Sequence, residues 1–479
     1  MYLGIDLGTS SVKTLLMDEA QTVFASESAT LDVTRSHPGW AEQEPDHWIA
    51  ATEATLSALA ASHRTAMAAV KGIGLSGHMH GATLVDASDN ILRPCMLWND
   101  TRAHAQASRM DTESSRALTG NILFPGFTAP KVAWLAEHEP EIFERIDTVL
   151  LPKDHLRLWL TGERVSEMSD AAGTGWLDVA QRDWSDELLT QTGLSRAQMP
   201  TLVEGTAVSG KLRSTLATRF GLPNDVIVAG GAGDNAASAC GMGTVAPGNA
   251  FVSLGTSGVL FAATERFMPN ADSAVHAFCH AVPNTWHQMG VILAATDSLN
   301  WLCTVTGQTA TELSAGVENR AFAPTDEMFL PYLGGERTPH NDAAARGVFT
   351  GLAHSSDAEA LTAAVMQGVA FAFADCQSAL AAAGTTLQRA YAIGGGSRSE
   401  TWLNTLATVL DIPLDIPADG DFGAGLGAAR LGLIAANNAN AVDICEPPPV
   451  MRSIEPVAES RSEFQDALGR YRDTWRRLN

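Results

Sequence analysis

Ala229-Gly230-Gly231-Ala232-Gly233-Asp234-Asn235-Ala236-Ala237 is the stretch that decides how this chain folds. The apolar run Val226-Ile227-Val228-Ala229 leads into it and reads as a buried strand. Glycines then let the backbone turn where a side chain would obstruct it, and an alanine-rich helical run follows. One carboxylate, Asp234, stands at the join. Elsewhere the chain carries two near-copies of a second signal, Asp6-Leu7-Gly8-Thr9-Ser10 and Ser253-Leu254-Gly255-Thr256-Ser257.

Each copy sits in the same local context. Residues 2–29 read as three short strands, with Gly8-Thr9-Ser10 in the first turn and Asp18-Glu19-Ala20-Gln21 in the second. From Asn249 the pattern of strand, Leu-Gly-Thr-Ser and strand recurs. A three-stranded unit used once per half implies duplicated α/β domains that face each other, spanning residues 1–245 and 246–479. That is the actin-like, hexokinase-like (ribonuclease H-like) ATPase plan, with nucleotide and second substrate in the cleft between the domains. Gly8, Thr9 and Ser10, with Gly255, Thr256 and Ser257, would hold phosphates through backbone N–H and hydroxyl groups. Lys13, on the strand after the first turn, is positioned to reach a phosphate. One acid beside two such turns is what phosphoryl transfer to a hydroxyl requires.

Composition bounds the rest. Apolar residues make up 45% of 479, enough for substantial cores. The formal charge of -23, from 31 basic and 54 acidic side chains, argues against a nucleic-acid partner, since no basic surplus exists to replace counterions. Cys95, Cys240, Cys279, Cys303, Cys376 and Cys445 form no Cys-x-x-Cys pair, which favours a reducing cytoplasm over a metal or disulfide framework. Met1-Tyr2-Leu3-Gly4-Ile5-Asp6 enters a strand directly, without the pattern of a signal peptide. No apolar run reaches the roughly 18 residues expected of a membrane span.

Other segments have simple local readings. Pro45 opens a helix on which Trp48, Thr52, Thr55 and Leu59 recur at helical spacing. Val70–Leu75 is a strand ending at Ser76-Gly77-His78-Met79-His80-Gly81, followed by a hairpin from Ala82–Val85 to Ile91–Leu97. A long helix over about 357–383 precedes the strand 390–393, the turn Gly394-Gly395-Gly396-Ser397 and a further helix. Gly423-Ala424-Gly425-Leu426-Gly427 opens another helix, and Pro447-Pro448-Pro449 precedes a polar C-terminal one. Two motifs mislead. Gly205–Leu212 nearly matches a P-loop but has Leu212 where a magnesium-holding hydroxyl is needed. Gly231-Ala232-Gly233-Asp234-Asn235-Ala236 fits a loose dinucleotide pattern, but Asp234 would repel a pyrophosphate there.

Taken together, these motifs resemble the FGGY family of carbohydrate kinases over nearly the whole chain. The resemblance is carried by Gly4–Ser10, Gly77–Ala82, Leu97–Asp100, Pro125–Lys131, Leu151–Asp154, Ser169–Thr174, Gly233–Ala237, Ser253–Gly258, Leu333–His340 and Gly394–Glu400. The strings Met79-His80-Gly81-Ala82 and Pro125-Gly126-Phe127-Thr128-Ala129-Pro130-Lys131 point to its D-xylulose-phosphorylating branch.

The resemblance implies ATP and Mg2+ as cofactors, D-xylulose as the small-molecule partner, and a homodimer. It places the proton acceptor at Asp234, which the need to deprotonate an attacking alcohol supports, with Asn235 beside it against the sugar. It sets Asp6 near the magnesium, directly or through water. Met79 and His80 match the family's sugar-contacting pair. His78 and His80, two residues apart, lack a nearby third ligand for zinc. Trp98, Asn99, Asp100 and Asp170 are expected to bond or stack on the pentulose. Gly395 and Gly396 resemble the adenosine loop, with Asn404 near the base.

Two competing readings share these features. One is another FGGY kinase acting on a different ketose, a polyol or gluconate. The other is a regulatory actin-like ATPase, which would not need Asp234 as an acid–base group.

Overall fold

A computed structural model describes residues 1–418 and 423–478; the expected second unit's last residue, Asn479, lies outside them. Among the described residues two seven-stranded sheets dominate. In the first, Tyr2–Leu7 pairs antiparallel with Ser11–Met17, which pairs antiparallel with Val23–Thr30. On its other side Tyr2–Leu7 runs parallel to Gly72–Gly77, and that strand runs parallel to Ile227–Ala229. The second sheet repeats the scheme. Ala250–Leu254, Gly258–Thr264 and Trp286–Ile292 form the antiparallel meander, and Ala390–Ile393 and Leu414–Pro417 add parallel to it. The duplication read from two short strings is therefore a duplication of topology.

Alternation along the first strand explains its layers. Leu3, Ile5 and Leu7 pack with Trp48, Leu56 and Leu59 of the helix Pro45–Ser62. Tyr2 points the other way, joining Leu15 and Met17 under Leu426, Ala429 and Leu433 of the helix Ala424–Asn437. This helix comes from the end of the second half, yet it covers the sheet of the first.

Its approach depends on missing side chains. A Cβ on Gly74 would stand 1.7 Å from Ala428 O, and one on Gly427 would stand 1.7 Å from Ala237 O. The helix thus lies backbone to backbone against both the first sheet and the helix Asp234–Met242.

Local readings hold with adjustments. The long helix spans Ala358–Ala382. The expected hairpin after Gly81 is present as antiparallel bridges Val85–Ile91 and Ala82–Met96, while its two arms form their extended ladders elsewhere, Thr83–Val85 with Thr148–Leu150 and Cys95–Met96 with Glu42–Gln43. The P-loop look-alike continues into the strand Val208–Lys211 instead of opening a helix. No described helix is long and apolar enough to cross a membrane.

Candidate active site

Asp234 is delivered by a backbone crossing. After Ile227–Ala229 the chain turns at Gly230-Gly231, and Ala232-Gly233 then pairs parallel with Ser76-Gly77. Gly231 has φ +76°, and a Cβ there would stand 2.4 Å from Leu75 O, so only glycine fits. Asp234 begins the next helix. Its Oδ1 accepts hydrogen bonds from Asn235 N at 2.7 Å and Asn235 Nδ2 at 3.0 Å. Burial pushes its pKa up to about 6; the Asn235 hydrogen bonds oppose the shift and the negative charge of Asp6 adds to it. A carboxylate poised there is suited to general-base work near neutral pH.

Asp6 stands one residue before the end of the first strand, in register with Lys13 on one side and Ser76 on the other. Burial raises its pKa, while the Ser76 hydroxyl and the Lys13 charge pull the other way. Asp6 Oδ1 and Ser76 Oγ are both buried without a hydrogen-bond partner. An unsatisfied buried carboxylate oxygen, on an acid whose charge raises the pKa of Asp234, fits a hard divalent cation such as Mg2+.

The two Gly-Thr-Ser turns have different supports. In the first, Gly8 N donates to Ser11 O at 3.0 Å and Thr9 O accepts from Gln43 Nε2 at 2.8 Å. In the second, Gly255 O accepts from both the amide and the hydroxyl of Thr296, at 2.9 and 2.8 Å. Thr296 opens the helix Thr296–Thr306. The Gly394–Gly396 loop closes over the same place. A Cβ on Gly394 would stand 2.6 Å from Leu254 O, and one on Gly396 would stand 3.2 Å from Thr296 Cγ2. Gly395 faces open space, with nothing within 4 Å of a Cβ. Turn, helix start and glycine loop form one shelf suited to a nucleotide. Thr296 is the member that sequence reading missed. Asn404 borders a cavity of about 310 Å³ with Val317, Arg320, Gln367 and Thr401, and Gly395 and Gly396 are not among its walls.

On the first domain's side, His80 is held rigidly. Its φ is +70°, which costs energy for a residue with a Cβ and calls for restraint. Its carbonyl accepts from Thr128 Oγ1 at 3.1 Å and Lys131 Nζ at 3.0 Å. Its ring stacks on Phe127 at 4.5 Å. Burial lowers its pKa to about 3, so the ring is neutral at physiological pH. Nδ1 lies 2.6 Å from Gly173 O, which requires the proton on Nδ1 and leaves Nε2 as an acceptor. Met79 joins this group to the base: a Cβ on Gly173 would meet its Cε at 2.7 Å, and one on Gly233 would meet its Cγ at 2.9 Å. His78 turns elsewhere, packing edge-on against Trp48.

Trp98 is 46% exposed, and its Nε1 donates to Thr9 Oγ1 at 3.1 Å, which sets it beside the first phosphate turn. Asn99 keeps a buried Oδ1 without a partner. Two expected sugar residues are placed differently. Asp100 is fully buried; its oxygens accept from Ala41 N and from the backbone and guanidinium of Arg102, so they are committed to the loop itself. Asp170 is also fully buried, with Oδ2 2.9 Å from Lys153 Nζ. The Asp100 oxygens are thus occupied within the loop, whereas Asp170 Oδ1 is buried without a hydrogen-bond partner.

Family models match both halves: the N-terminal domain of the FGGY family of carbohydrate kinases over residues 1–241 and its C-terminal domain over 250–436. The chain belongs to the FGGY family of carbohydrate kinases and is a phosphotransferase. It is 47% identical to a xylulose kinase of Escherichia coli K12, covering 100% of this chain and 98% of that one. A solved structure from Brucella ovis, described as a "xyloylose kinase", superposes with TM-score 0.98 at 57% identity, covering 100% and 99% of the two chains. A xylulose kinase structure from Rhodospirillum rubrum gives 0.92 at 28% identity, covering 100% and 98%.

Proposed function

We propose that this protein transfers the γ-phosphoryl group of ATP to the terminal hydroxyl of D-xylulose, giving ADP and D-xylulose 5-phosphate. The likeness to full-length xylulose kinases supports the choice of sugar. The observation that carries the chemistry is the Asp234 carboxylate at the start of its helix, oriented by Asn235 at 2.7 Å, with Met79 packed against the preceding Gly233 and with Asp6 near enough to help burial raise its pKa to about 6.

In this reading Asp234 takes the hydroxyl proton as the oxygen attacks phosphorus. Asn235 orients that carboxylate. His80 Nε2 accepts from a sugar hydroxyl, and Trp98 and Asn99 supply an aromatic face and a free acceptor. Asp100 and Asp170 act behind this surface. Gly8, Thr9, Ser10 and Lys13 from one side, and Gly255, Thr256, Ser257, Thr296, Gly395 and Gly396 from the other, bind the nucleotide. Asn404 would reach the base only from the neighbouring cavity. Asp6 would hold Mg2+, which would supply neutralisation of the phosphate charge. Closure of the units 1–245 and 246–479 on the sugar would exclude water and so protect ATP from hydrolysis.

A cytoplasmic location is part of this proposal and agrees with six free cysteines. A homodimer is proposed from family resemblance, and light scattering would test it. The functional test is ADP release with D-xylulose, L-xylulose, D-ribulose, L-ribulose and glycerol. The highest kcat/KM is expected for D-xylulose; preference for another acceptor would move the protein to a different sugar within the same family.

A further inference from the structure

Behind Asp234 lies a fully buried charged cluster that the proposed chemistry does not use. Lys153 Nζ lies 2.8 Å from Asp154 Oδ1, 2.9 Å from Asp170 Oδ2 and 3.3 Å from Glu167 Oε1. Arg157 Nη2 is 3.6 Å from Asp154 Oδ1, and all five side chains have no solvent exposure. Desolvating so many charges is costly, and an apolar core of the same volume would fold as well or better. The cluster therefore calls for a reason other than stability.

Its outward hydrogen bonds supply one. Arg157 Nη1 donates to Ala229 O at 2.6 Å and Nη2 to Gly230 O at 2.5 Å. A planar guanidinium matches two successive carbonyls in a way that an ammonium cannot. These are the carbonyls at which the strand turns toward the base. At the other end of the crossing, Gly233 N donates to Ser169 Oγ at 3.1 Å. Ser169 Oγ in turn donates to the Glu167 carboxylate, which also accepts from Ser169 N at 2.7 Å and Asp170 N at 2.9 Å. Glu167 thus orients Ser169 so that a lone pair faces the amide just before Asp234.

We infer that Arg157 and Ser169 are positioning residues, which clamp the two ends of the Ala229–Gly233 crossing and thereby fix where the Asp234 carboxylate stands. Lys153 and Glu167 hold the clamp in place. Three carboxylates against two cations leave one negative charge in excess, and burial raises the Asp170 pKa above the ordinary carboxylate range while Lys153 opposes the shift.

This inference rests on the reading of Asp234 as the base. It is tested with Ser169→Ala and Arg157→Lys, using full steady-state kinetics with D-xylulose and ATP and the pH profile of kcat. Ser169→Ala makes the smaller change and so covers the case in which the arginine variant fails to fold. A base displaced by a fraction of an ångström to about 1 Å predicts kcat lower by about tenfold to a hundredfold. Both KM values should stay within about twofold, because sugar and nucleotide contacts are untouched. The acid limb of kcat should move below pH 6 as a loosened carboxylate gains water, and Ser169→Thr should restore much of the rate. Unchanged kcat in folded Ser169→Ala, or a loss shared with both KM values, would overturn the clamp. Retained activity in Asp234→Ala would instead overturn the assignment of the base.

Discussion

Trp98 Nε1 donates to Thr9 Oγ1 at 3.1 Å, joining residues 89 positions apart. The bond links a loop expected at the sugar to a turn expected at the phosphates. This link is expected to couple the two proposed sites. Trp98→Phe keeps an aromatic face and removes the donor. A lost hydrogen bond of about 1 kcal/mol corresponds to roughly fivefold in affinity. Isothermal titration should show weaker ATP binding in the variant and a smaller enhancement of it by sugar.

His80 makes a more one-sided prediction. Its Nδ1 is engaged by Gly173 O, so Nε2 alone is offered to a ligand. His80→Ala leaves sugar hydroxyls unpaired in a closed site, a loss of roughly 1–3 kcal/mol. KM for D-xylulose should rise about tenfold or more while KM for ATP changes little. An ATP-only defect would contradict the placement of the sugar.

The phosphate turns predict the converse. A Cβ on Gly8 would stand 3.2 Å from Ser11 O, and one on Gly255 would stand 3.3 Å from Ser257 O. Both contacts are tight before any phosphate arrives. Gly8→Val and Gly255→Val should each weaken ATP binding by on the order of tenfold or more, since a β-branched side chain blocks close backbone approach. Sugar affinity, measured by calorimetry, should be nearly unchanged.

Much of this site was legible because its requirements are local. A crossing under a neighbouring strand needs glycine at a fixed position, and Gly231 records that need directly; Gly8 and Gly255 meet the same need in the turns proposed to admit phosphate. The duplicated fold followed from the same strings. What the sequence hid was the identity of distant partners. Asp170 beside glycines reads as an accessible ligand until Lys153 is seen against it. Asp100 was nearer to being legible, since Arg102 lies two residues on, at a spacing suited to a loop ion pair. The glycines at 425 and 427 announced a helix start, but not that the helix would cross to the first sheet and press on Gly74 and Ala237. Thr296 carried no motif at all and is identified only by its two bonds to Gly255 O.

The raised Asp234 pKa has consequences for both rate and stability. The base must be ionised, so kcat should climb with pH through about 6 and level off above it. Stability runs the other way. The folded-state pKa lies above the ordinary 3.8, so the folded protein binds more protons than the unfolded chain between about pH 4 and 6. The group's contribution is fully present below pH 3.8 and is lost as pH rises through about 6. Asp234→Asn removes that loss. Its melting temperature should exceed that of the unsubstituted protein by on the order of a few degrees at pH 8, with the gap closing as pH approaches 4.

The central claim is that Asp234 removes the proton from the attacking hydroxyl. Its most direct test is kcat for folded Asp234→Ala with D-xylulose and ATP, alongside equilibrium binding of each substrate. A loss of kcat on the order of a hundredfold or more is expected, with both substrates still bound. Turnover close to that of the unsubstituted protein would contradict that claim.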